Sequence, residues 1–168
     1  MTKPLVHFAH GKDSGPWGFK ITRLAEIARE RGMDAESLDY SGIDSPRLRS
    51  EKLVAACKNV SRPVILVGSS MGGWVAAAAS RQIPAAGLFL LAPAFYFPGY
   101  PDVTPGCPGE KIEVVHGWAD DVILFEHSVR FSREHGATLH LVRDDHRLAE
   151  TIDLTAECFS SFLGRVLR

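Results

Sequence analysis

The 168-residue sequence predicts an α/β fold of three layers, α/β/α, with a mostly parallel sheet of about six strands. Three observations predict it. Strand-like and helix-like stretches alternate along the whole chain, with six strands in all. Two of the strand stretches, VILVGS and GLFLLAP, are near-continuous apolar runs, as expected where helices cover both faces of a strand. No repeat, low-complexity tract or linker divides the chain, so its length suits one domain over 1–168.

The first strand is PLVHFA (4–9), an apolar run that ends at Gly11. A helix follows within 16–32: Ile21, Leu24, Ala25 and Ala28 share one face, and Gly32 supplies a natural C-terminal stop. Ser14 is a candidate N-cap for it. The stretch MDAESLDY (33–40) reads as a weaker edge strand. The second helix begins near Pro46, a residue favoured in a first turn. The third strand leads into an alanine-rich helix from about Met71 to Gln82, and the fourth strand covers 87–93. The fifth strand, 111–117, precedes a helix stopped by Gly136. The sixth, 137–143, precedes a last helix in which Leu148, Ile152, Ala156, Phe159, Leu163 and Val166 step by threes and fours. Segment 92–110 has five prolines, three glycines and no period, so it must be a loop.

The bulk numbers exclude several classes of function. Formal net charge is −1 and no run of five or more like charges exists, so nothing argues for nucleic acid. The N-terminal stretch is too short and too interrupted for a signal segment, and no apolar run reaches the length of a membrane span. Cys57, Cys107 and Cys158 form no paired framework, which suits a reducing cytoplasm; Cys107 reads as an incidental thiol. The histidines and aspartates lack metal-ligand spacing, so neither a metal nor a cofactor is expected. GKDS has Asp13 where a phosphate-binding loop needs Ser or Thr, which excludes that reading.

The chemistry concentrates at GSSMG (68–72), where the third strand turns into a helix. A serine flanked by glycines at such a turn matches the nucleophile elbow. Small neighbours permit the tight backbone, and the helix N-terminus favours developing negative charge. Met71 would then offer one backbone N–H to an oxyanion. A serine nucleophile needs a base, and the base needs an orienting acid. The loop after the fifth strand offers Asp120 and Asp121; the loop after the sixth offers His146 beside Asp144 and Asp145. Of seven histidines, only His146 lies just beyond the last strand. His127 and His135 fall on a helix, His7 and His140 fall inside strands, and His116 suits a role satisfying loop backbone.

At these residues the chain resembles a small, lidless α/β-hydrolase, a minimal version of that fold without a helical lid. The family's H-G-x-x-D-x-x-V segment matches His116, Gly117, Asp120 and Val122, and its D-H segment matches Asp145 and His146. The resemblance favours Asp120 over Asp121 as the acid, leaving Asp121 as a helix N-cap. The first-strand loop, AHGKDSG, resembles the family segment that places a second oxyanion N–H at Lys12. The resemblance implies a serine hydrolase cleaving carboxylic esters or thioesters through Ser70, His146 and Asp120. The implied partner is a small acyl substrate. Phe95, Tyr96 and Trp118 are expected to line its pocket, with Phe97 and Tyr100 as further candidates, and Trp74 to pack under the helix. The alternative is a non-catalytic binding or scaffold protein on the same fold; a flavodoxin-like module would explain the sheet but not the order Ser, Asp, His.

Overall fold

The structure is a computed structural model and describes residues 2–168. Six parallel strands form one sheet in the order β2-β1-β3-β4-β5-β6. They are β1 (Leu5–Ala9), β2 (Asp34–Ser37), β3 (Val64–Ser69), β4 (Ala85–Leu91), β5 (Ile112–Gly117) and β6 (Thr138–Val142). The helices are α1 (Phe19–Glu30), α2 (Pro46–Cys57), α3 (Met71–Ala79), α4 (Phe125–His135) and α5 (Ile152–Val166). Because side chains alternate along a strand, β3 feeds two cores. Ile65 and Val67 pack with Leu24 of α1 and with Phe159 and Phe162 of α5. Val64 and Leu66 pack with Leu53 of α2, Val75 of α3 and Phe131 of α4. The expected three layers result, and all the strands are parallel.

Several boundaries differ from expectation, each for a local reason. The edge strand β2 covers only Asp34–Ser37, since it pairs with β1 alone. Helix α1 begins at Phe19 with Gly18 as its cap, and Ser14 instead turns its hydroxyl onto the Gly11 carbonyl. Helix α3 ends at Ala79, three residues early, where the Ser80 hydroxyl takes the Ala77 carbonyl. Leu148 lies outside α5 with φ of 52°; it is buried, but from the loop. Helix α2 starts as expected, with Pro46 in its first turn and the Ser45 hydroxyl accepting from the Leu48 N–H. Helix α4 ends on Gly136, whose φ of 69° is left-handed.

Segment 92–110 has no strand or α-helix, only the start of a short 3-10 turn at Gly109–Lys111. It is nonetheless tied down. Trp74 Nε1 donates to the Pro101 carbonyl at 2.7 Å, and the Ser80 hydroxyl accepts from the Gly106 N–H at 2.8 Å. Cys107 is buried, and burial pushes its thiol up to about 11. Among the described residues, no helix is long and apolar enough to cross a membrane.

Candidate active site

The turn from β3 into α3 is built by glycines. A Cβ at Gly68 would lie 2.1 Å from the Gly72 carbonyl oxygen, and one at Gly72 would lie 1.9 Å from that of Ala9. No side chain fits at either place. Ser70, between them, has φ of 55° and ψ of −117°, a conformation that costs a non-glycine residue about 1–3 kcal/mol. The surroundings hold it there. Its N–H donates to the Leu91 carbonyl, and its carbonyl accepts from the Gly73 and Ala94 N–H groups. The side chain is thereby lifted off the carboxyl end of the central strand.

The other side chains reach this hydroxyl from two loops that lie against each other. After β5, Trp118 and Ala119 donate backbone N–H groups to the carbonyls of Val142, at the end of β6, and of Asp144, in the loop that follows. Asp144 ties that second loop, accepting from the N–H of Asp145 and from both the N–H and hydroxyl of Thr151. His146 Nε2 then lies 3.1 Å from Ser70 Oγ, and His146 Nδ1 lies 2.7 Å from Asp120 Oδ2. Asp120 as acceptor fixes the ring proton on Nδ1, so Nε2 is free to accept from the serine hydroxyl.

Asp120 is almost fully buried and receives four donors. Oδ1 accepts from the Val122 and Ile123 N–H groups at 2.9 and 2.8 Å; Oδ2 meets His146 and also His116 Nε2 at 2.9 Å. Burial alone would raise its pKa. The hydrogen bonds from His116, His146, Ile123 and Val122 outweigh burial and hold the carboxyl well below the usual carboxylate range. Asp120 is therefore a fixed anion behind the imidazole. His116 bonds the Ile123 carbonyl, as a backbone-satisfying histidine should, but also braces Asp120 and meets the Ser128 hydroxyl through Nδ1. Asp121 does not cap α4: the cap is Leu124, with no side-chain hydrogen bond.

The third wall is the loop after β1. A Cβ at Gly11 would lie 3.6 Å from Ser70 Cβ, so this loop passes directly over the elbow. Lys12 follows it, while Met71 opens α3, whose first N–H groups have no acceptor within the helix. The loop is held by Arg49, which the sequence reading overlooked. Arg49 is 1% exposed, and its guanidinium donates to the carbonyls of Ile43, His10, Gly11 and Lys12. The signal was available: Arg49, Leu53 and Cys57 are spaced by four along α2, which puts the arginine on the buried face. Replacing Arg49 by methionine strands these acceptors. A buried acceptor left unpaired costs about 1–3 kcal/mol; only the His10 carbonyl is fully buried and water can reach the other three, so a loss of about 3 kcal/mol in all is expected in urea unfolding. A loss below about 1 kcal/mol would show that the clamp is idle.

Ser70 opens onto a cleft of about 650 Å³. Phe97 and Tyr100 line it, as do Phe19, Ile21, Val122 and Ile123. The three residues expected to form the pocket do not. Phe95 is buried and stacks on Phe131 with ring centroids 4.0 Å apart, because its neighbour α4 offers an apolar surface. Tyr96 turns outward, donating to Glu134 and lying under the Arg130 guanidinium. Trp118 is 54% exposed and packs edge-on against Phe125. Trp74 packs beneath the loop it ties. Among the described residues, the one group that could hold a metal ion is Glu113, His140 and Cys158, a set the sequence did not suggest. Both Glu113 oxygens are already engaged there, by His140 Nε2 and by Arg165.

The comparisons with known proteins agree with this architecture. The model of the alpha/beta hydrolase family matches residues 8–165. The chain belongs to that family. No curated protein matches it. Among solved structures of alpha/beta hydrolases, one from Xanthomonas campestris pv. campestris, assigned to that superfamily, is 30% identical. It has a TM-score of 0.88, covering 97% of this chain and 99% of that one. A second Xanthomonas campestris protein, a serine hydrolase without a lid, is 19% identical with a TM-score of 0.76, over 96% and 81% of the two chains. Est1E from Butyrivibrio proteoclasticus is also 19% identical, with a TM-score of 0.77 over 98% and 88%. The last two likenesses concern the fold.

Proposed function

We propose that this alpha/beta hydrolase cleaves carboxylic ester or thioester bonds through a covalent acyl intermediate on Ser70. One observation carries the reading: the unbroken series Ser70–His146–Asp120, with contacts of 3.1 and 2.7 Å, at the carboxyl end of the sheet.

In the first half-reaction the Ser70 hydroxyl gives its proton to His146 Nε2 as Oγ bonds to the substrate carbonyl carbon. The carbonyl π electrons move onto oxygen. The N–H groups of Met71 and Lys12 receive that oxyanion, and Asp120 stabilises the imidazolium. Collapse breaks the bond to the leaving oxygen or sulfur, which takes the proton from Nε2. In the second half-reaction water loses a proton to Nε2 and attacks the acyl carbon. The bond to Oγ breaks, the acid leaves, and the proton returns to Ser70.

A fluorophosphonate probe tests this directly. One equivalent should attach to the folded protein, peptide mapping should place it on Ser70, and Ser70→Ala should take up none. A folded wild-type chain that stays unlabelled overturns the reading and leaves a hydrolase-fold binding module.

A further inference from the structure

The cleft wall beside His146 is positively charged, although the chain as a whole carries a formal net charge of −1. Lys20 and Arg147 both line it. Lys20 stands in the first turn of α1, between Phe19 and Ile21, and its ammonium reaches the His146 carbonyl at 3.4 Å. That is longer than an ordinary hydrogen bond, and it uses one of three N–H donors. Arg147 is the next residue after the histidine; its backbone N–H is held by Asp145, while its side chain is exposed.

Carboxylates do lie in this region, but each is already engaged: Asp120 by His116, His146 and its own loop, Asp144 and Asp145 by the loop after β6. Asp120 has four donors, Asp144 has three, and Asp145 accepts from the Arg147 N–H. None of them comes within ion-pair distance of Lys20 or Arg147, and among the described residues neither cation has any ion-pair partner. Among the described residues, the only carboxylate side chain lining the cleft is Asp13, on the loop after β1. Burial, helped by the neighbouring Arg147, pushes the Lys20 ammonium down to about 8, against the pull of Asp120, Asp144 and Asp145. Lys20 is half-buried, makes one long protein contact and keeps two N–H donors towards the cleft, where an anion can take them.

Position relative to His146 says which part of a substrate such an anion belongs to. The imidazole Nε2 must hand its proton to the leaving atom, so the leaving group lies on the histidine side of the scissile carbon. The acyl chain and the oxyanion lie elsewhere. Lys20 and Arg147 flank that same histidine.

We propose that the enzyme is selective for esters or thioesters whose leaving group carries a carboxylate or phosphate, seated between Lys20 and Arg147. The proposal rests on the serine hydrolase reading, and its test separates the two. The probes are 4-acetoxyphenylacetate and its neutral isostere 4-acetoxyphenylacetamide, in which a methylene insulates the ester from the charge. After correction for hydroxide-catalysed rates, kcat/KM should favour the anion by about tenfold or more, the scale of a charge-assisted hydrogen bond. The preference should fall towards one in Lys20→Met and in Arg147→Gln, and survive in Lys20→Arg.

Calorimetry on the products needs no turnover. Here 4-hydroxyphenylacetate should bind wild type about tenfold more tightly than the amide, and Lys20→Met should abolish that difference. Equal affinities, or a preference that follows an anion on the acyl side, as in phenyl hemiadipate, overturn the proposal. Loss of fluorophosphonate labelling with the calorimetric preference intact would overturn the catalytic reading and leave the anion subsite standing.

Discussion

His146→Ala is expected to lower ester turnover by about 10⁶-fold in kcat, close to the loss on removing Ser70 itself, because the two act as one unit. Without Nε2 at 3.1 Å, the serine hydroxyl has no acceptor for its proton, and the leaving group has no donor. Asp120→Asn should be milder, about 10⁴-fold. Its amide would occupy the same space but no longer demand a proton on His146 Nδ1, so the ring can turn its unprotonated face away from the serine. His116 and the Val122 and Ile123 N–H groups would also lose their charged acceptor. Stopped assays on a chromogenic ester, with circular dichroism to check folding, measure both. If His146→Ala retained more than about a tenth of wild-type kcat, the proton relay would be wrong.

Gly72→Ala is expected to prevent folding, with a loss above about 5 kcal/mol, the extreme end of single substitutions. The added methyl would sit 1.9 Å from the Ala9 carbonyl oxygen and 2.4 Å from its carbon. Both are backbone atoms of a central strand, and neither can move without breaking its ladder. Helix α3 cannot retreat either, since all but one of its residues are buried. A typical domain of this size is stable by about 5–15 kcal/mol, so the cost consumes most of that margin. Gly15→Ala provides the contrast. Nothing lies within 4 Å of its Cβ, and its stability should stay within about 0.5 kcal/mol of wild type. Soluble yield and urea unfolding of the two variants decide the matter; a soluble, folded Gly72→Ala chain with normal stability would contradict the packing described here.

Much of the fold was legible because its signals are local. The run VILVG can be little other than a covered strand, and Gly136 marks a helix end through a backbone angle that other residues avoid. The order and spacing of Ser70, Asp120 and His146 were legible for the same reason: each follows a strand, and parallel strands deliver their ends to one rim. What escaped the sequence depends on long-range neighbours. Phe95 is an aromatic in a proline-rich loop, and nothing local says that Phe131 waits to stack on it. Tyr96, one residue on, faces the other way because Glu134 and Arg130 offer a partner outside. Arg49 went unremarked among the charges of α2, yet it serves four carbonyls, three of them some 40 residues earlier in the chain. Leu148 was read into a helix from its spacing, but the tie between Asp144 and Thr151 holds it in a turn.

The irregular stretch that carries Phe97 and Tyr100 into the cleft is anchored by Trp74, Ser80 and Phe131, so its shape is set when the chain folds. A flexible wall would have to surrender conformational freedom each time a ligand arrived, at about 0.5–1.5 kcal/mol per side chain immobilised. Here that entropy is already lost beforehand. Contacts made with Phe97 and Tyr100 can therefore appear almost undiminished as affinity, and a pocket without a lid need not be a weak one.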